Sequence, residues 1–169
     1  MLWAYELSVW LHVLAACAWV GGMVFLVVVL VPVVKRGDAA LAAALIEGSG
    51  RRFRTLGWVC LGTLLATGTL NMHFRGIHFG DFFDGSFAQN PVARPLALKL
   101  LLFAAVLALS AVHDFLVGPR ATAAWRRAPS SPEARAGRRQ ASLFGRVNGV
   151  LALLIVLLAV FVARGGYPS

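Results

Sequence analysis

The sequence predicts an all-α integral membrane protein, a four-helix transmembrane bundle, on three observations. Hydrophobic residues make up 59% of the 169 and charged residues only 14%, with a mean hydropathy of +0.77. Those values lie outside the range of soluble globular domains. Apolar stretches recur at about residues 5–34, 53–74, 95–117 and 142–163, each at least the roughly 20 residues a helix needs to cross a bilayer. Positive charge gathers in alternate connections between them. A single transmembrane domain over residues 1–169 accounts for the whole length.

Span one runs from Leu7 to Val34 without an Asp, Glu, Lys or Arg, yet holds His12. An ionisable group inside a span is costly and usually faces the bundle interior with a task to perform. The N-terminus lacks a basic n-region and the apolar run exceeds a signal h-region, so the span reads as a retained helix. Asp38 is expected to cap a short amphipathic helix, AALAAALIE, and Gly48-Ser49-Gly50 to turn the chain into span two. Span two, Thr55 to Met72, is followed at once by His73.

The next connection, RGIHFGDFFDGSFAQNPVARP, is rich in aromatics. Phe79, Phe82, Phe83 and Phe87 fit an interfacial anchor, and His78 reads as a solvated loop residue. Span three, Pro95 to Val117, is interrupted by Lys99, His113 and Asp114, and Gly118-Pro119-Arg120 reads as its stop. WRRAPSSPEARAGRR then reads as a mobile surface loop near anionic lipid. In span four, Ser142 to Ala163, Gly145 and Gly149 read as a small-xxx-small contact beside Asn148, an interhelical hydrogen bonder.

The formal charge of +9 is not spread as a nucleic-acid footprint. Lys35, Arg36, Arg51, Arg52 and Arg54 separate spans one and two, while Arg120, Arg126, Arg127, Arg135, Arg138 and Arg139 separate three and four. The opposite side has Arg75, Arg94 and Arg164, plus Lys99 just inside its span. By the positive-inside rule both termini are periplasmic and the chain is multi-pass in a bacterial inner (plasma) membrane. Its partner is the lipid bilayer, not nucleic acid.

Helix rise sets depths below the outer boundary: about 8 Å for His12, about 2 Å for His73, about 6 Å for Lys99 and about 27 Å for His113. His12, Ala15, Ala16, Trp19 and Gly22 share one helix face, and Gly62, Ala66, Thr69 and His73 another. Two histidines on different helices at similar depth, bordered by small residues, suit an axially ligated haem. The predicted cofactor set is therefore His12, His73, Lys99, Arg75 and Arg94, with His12 and His73 on the metal and the cations near the propionates. His113-Asp114 reads as a pair satisfying Arg51, Arg52 or Arg146, or as a proton or quinone site. Cys17 and Cys60 read as core residues.

The pattern His12-x6-Trp19-x2-Gly22, with Lys99 opening span three, His113 near its end and Arg146-x-Asn148 opening span four, resembles the copper-resistance-D (CopD) domain. It is also similar to the HemJ-type protoporphyrinogen oxidases. The resemblance implies a compact membrane bundle and, from the HemJ side, a b-type haem on His12 with Lys99 functionally important. HemJ proteins carry a Leu-Pro-Arg-rich segment where this chain reads Phe25-Leu26-Val27-Val28-Val29-Leu30.

Three functions follow as expectations. The first is haem b bound near the periplasmic face for electron transfer or redox chemistry, with a quinone or redox protein as partner. The second is copper handling through His12, Met72, His73 and Cys17. The third is an accessory, non-catalytic subunit of a membrane complex, or a homo-oligomer. Enzymatic activity is left open.

Overall fold

The fold rests on long helices interrupted without being ended. The structure, a computed structural model, describes residues 2–34, 36–37, 39–83 and 85–166. Among these every regular element is helical. The chain divides into two compact units, Met1–Gly80 and Asp81–Ser169.

In the first unit, α1 (Leu2–Val24) passes through a π-helical turn, Phe25–Leu30, into α2 (Val31–Val34). The cause is Pro32, which lacks an N–H and whose ring would collide with the carbonyl one turn back. The helix widens instead, and the Val31 N–H bonds five residues back to the Leu26 carbonyl. The return helix is α3 (Ala39–Phe74), 36 residues and about 54 Å long. It runs straight through Gly48-Ser49-Gly50, where a turn was predicted. Ser49 Oγ donates to the Leu45 and Ile46 carbonyls at 2.7 and 3.2 Å, bonding within the helix rather than opening it. The predicted Asp38 cap lies outside the described residues.

The second unit pairs α4 (Ala93–Val112) with α6 (Pro132–Ala163). The predicted stop at Gly118-Pro119-Arg120 is again a π turn: His113–Val117 absorbs Pro119, the Gly118 N–H reaches the His113 carbonyl, and α5 (Gly118–Arg127) continues. The predicted mobile loop shrinks to four residues, 128–131. Ser131 Oγ accepts the Ala134 N–H at 3.1 Å and Pro132 occupies the first turn, so a strong N-cap starts α6 early. Of the connecting phenylalanines, Phe87 is buried edge-on against Phe82, centroids 4.9 Å apart, while Phe79 and Phe83 stand exposed.

Val106 and Ala152 are buried completely in this unit, and Asn148 Nδ2 donates to the buried Ser110 Oγ at 2.8 Å. Gly145 and Gly149 do not make the predicted close contact; nothing described lies within 4 Å of a Cβ built at either. That role falls to Gly137, where a Cβ would stand 3.0 Å from Ala121 Cα.

Among the described residues, three helical runs are long and apolar enough to cross a membrane: Leu2–Val34, Ala93–Arg127 and Pro132–Ala163. The run Thr55–Met72 is not among them, because four threonines, three glycines and Asn71 dilute it. Large apolar side chains such as Val27, Leu101 and Val150 face outward in mid-helix. Such a surface is stable against lipid and not against water.

The α5–α6 approach yields a prediction. Gly137→Val should destabilise the second unit by about 1–3 kcal/mol, because backbone stands where the new side chain must go. Thermal unfolding in detergent measures it, with Gly145→Val as the control expected to unfold like the wild type.

Candidate functional site around His12

The hairpin of α1 and α3 interlocks through small residues placed opposite large ones. The Phe53 ring fills the space beside Gly22, Trp19 lies 3.7 Å from a Cβ built at Gly57, and the His12 ring lies 3.4 Å from one built at Gly68. Ser8 Oγ donates to the Thr67 carbonyl at 3.4 Å. Ser8, His12, Ala15, Trp19 and Gly22 recur at intervals of four and three, a single stripe of α1. The stripe predicted to border a ligand is thus the surface that packs on α3.

His12 is half-buried at this seam. Its Nδ1 lies 2.8 Å from Thr67 Oγ1, and Thr67 Oγ1 lies 2.6 Å from the Thr63 carbonyl. A hydroxyl has one proton and a carbonyl has none. The Thr67 proton must therefore go to Thr63, leaving its oxygen to accept from His12 Nδ1–H. Neutral His12 then carries its lone pair on Nε2. A bond that fixes the tautomer of a metal-binding histidine and orients its ring is a recurrent part of such sites.

His73 is placed differently. It lies five residues past Gly68, about 8 Å along α3, and its side chain is exposed, as are Gly62, Ala66 and Thr69 of the predicted second stripe. The hairpin therefore does not bring His12 and His73 to one point. The His73 ring faces that of His78, with centroids 5.8 Å apart and planes at 84°. Arg75 Nε donates to Tyr5 Oη at 3.2 Å, and Tyr5 packs edge-on against Phe74. These contacts tie the two ends of the hairpin together.

The other predicted residues belong to the second unit. Arg94 is exposed in the first turn of α4, and half-buried Lys99 shares a helix face with Val106 and Ser110. His113 Nδ1 pairs with Asp114 Oδ1 at 2.9 Å, and the His113 ring lies 6.3 Å from that of Phe144. Cys17 is exposed and Cys60 buried, both reduced. Among the described residues no three His, Cys, Asp or Glu side chains converge as a metal cluster.

Thr63, Thr67 and Tyr5 were not singled out from the sequence. The available signal was Thr63-x3-Thr67, a spacing that stacks two hydroxyls one turn apart beside the carbonyls they can bond. His78 had its signal in Gly76, which reverses the chain two residues earlier.

Long apolar helices with outward-facing aliphatic surfaces make this a multi-pass helical membrane protein. The chain belongs to the CopD family: the family model described as copper resistance protein D matches residues 47–162, more than half of the chain. The match takes in most of α3, all of α4 and α5, and nearly all of α6, and begins after His12. The chain is also 30% identical to a protein of Aquifex aeolicus (strain VF5) described as uncharacterized, over 98% of this chain and 99% of that one. No solved structure matches it significantly.

The seam yields a second prediction. A double-mutant cycle of His12→Ala and Thr67→Val should give a coupling of about 0.6–1.7 kcal/mol in unfolding free energy. Thr67→Ser should keep the bond and unfold like the wild type.

Proposed function

We propose that the protein handles copper, passing or sensing the ion at a bacterial inner membrane, with His12 as the imidazole ligand inside the membrane. Membership of the copper resistance protein D family is the observation that carries this reading. The seam supports it: neutral imidazole is a good copper ligand, and Thr67 holds the ring so that Nε2 is the donor atom. Met72 and His73 at the end of α3 add further donors of the kind copper takes. The four apolar stretches, α3 included, all cross the membrane in this reading. Both termini are periplasmic, because the arginine-rich connections stay in the cytoplasm.

Copper is cargo here, not a resident cofactor. Proteoliposomes loaded with a copper-sensitive dye should take up copper, and His12→Ala should slow the initial rate by about tenfold or more. His113→Ala should stay within about twofold, because its ring is held by Asp114. Uptake no faster than in protein-free liposomes would overturn passage of the ion, and a copper affinity unchanged in His12→Ala would overturn sensing through His12.

A second reading keeps haem b on His12, with Arg75 toward its propionates. The specific observation in its favour is the same fixed Nδ1–H, the arrangement an axial histidine needs. Against it, His73 does not share the His12 face and the expected second ligand is not formed within the hairpin. A stoichiometric Soret band, lost in His12→Ala, would replace copper by haem in this account.

A further inference from the structure

At the end of α3, His73 stands beside His78, an imidazole to which neither reading gives a part. Gly76, at φ +69°, adopts the left-handed conformation that glycine takes without strain. Its N–H bonds to the His73 carbonyl at 3.0 Å, and the Ile77 N–H reaches back to the Met72 carbonyl at 3.0 Å. This is a Schellman turn. It reverses the chain so that His78 returns over the helix end and its ring meets that of His73, centroids 5.8 Å apart.

That separation is an edge-to-face ring contact, and it is also one that two imidazoles can keep while sharing an ion. With metal–nitrogen bonds of 2.0–2.1 Å, the two ring centroids fall roughly 5–6 Å apart. Planes at 84° keep the ring edges clear of one another around a common ion. Both side chains are exposed, so water completes the coordination. The geometry points to a bis-imidazole surface site formed by His73 and His78 at the end of α3, for a late divalent transition ion with Cu2+ favoured. Nitrogen donors rank Cu2+ above the other first-row divalent ions. The choice of copper as the physiological ion rests on the copper-handling reading; the site itself rests on the turn and the ring pair.

The test is Cu2+ titration of the untagged full chain in detergent, followed by electron paramagnetic resonance. The ion bound at this site should show a nitrogen superhyperfine pattern from two imidazoles. His73→Ala and His78→Ala should each weaken binding by about tenfold or more. Gly76→Val, which keeps both ligands but strains the turn, should weaken it as well, and His113→Ala should leave it unchanged. Wild-type titration in both histidine variants, or a spectrum with fewer than two nitrogens, overturns the site. Because binding is read in detergent without transport, a failure of copper uptake in proteoliposomes is recorded separately and leaves this result to stand or fall by itself.

Discussion

The direction of one hydrogen bond decides what this molecule can offer inside the membrane. Thr67 has a single hydroxyl proton, and the Thr63 carbonyl 2.6 Å away takes it. His12 must therefore donate through Nδ1, and Nε2 becomes the basic nitrogen. In hydrocarbon an imidazole without such a partner would rotate, change tautomer or bond a neighbouring carbonyl. The serine and threonine hydroxyls of the seam give α1 a fixed register on α3, and that register gives the imidazole a fixed chemical identity.

The packing around the bond serves the same end. Helices in lipid gain nothing from hydrophobic exclusion between them, so close approach and interdigitation must hold them together. Gly22, Gly57 and Gly68 provide that approach by receiving Phe53, Trp19 and His12. A glycine at 68 lets the imidazole lie against α3, within reach of Thr67 one residue earlier. In the second unit Gly137 and Ala121 do the same for α5 and α6, and Asn148 with Ser110 supplies the polar tie. The π turns before Pro32 and Pro119 keep two helices continuous where a proline would otherwise break them.

The helical, membrane-spanning character of the chain was legible because apolar length and charge spacing encode it directly. So was His12 as the ionisable group in the first span. Helix boundaries were less legible. Gly48-Ser49-Gly50 and Gly118-Pro119-Arg120 carry strong local turn chemistry, yet Ser49 bonds within its own helix and a π turn accommodates Pro119. Propensity is a local quantity, and the flanking helices override it. The partner of His12 was hidden for another reason. A helical wheel gives the face of a residue on its own helix but not the rotation of the helix opposite. The stripe of Gly62, Ala66, Thr69 and His73 was as plausible by spacing as the surface of Gly57 and Gly68 that in fact meets α1.

The chemistry of this site depends most on the tautomer of His12. Nitrogen-15 NMR of histidine-labelled protein in bilayers, with His12 assigned through His12→Gln, reads it directly. The predicted result in metal-free protein is a protonated Nδ1 and an unprotonated, pyridine-like Nε2. A proton on Nε2 with a bare Nδ1 would mean that Thr67 donates to the ring, and would contradict the hydrogen-bond direction on which the site is built.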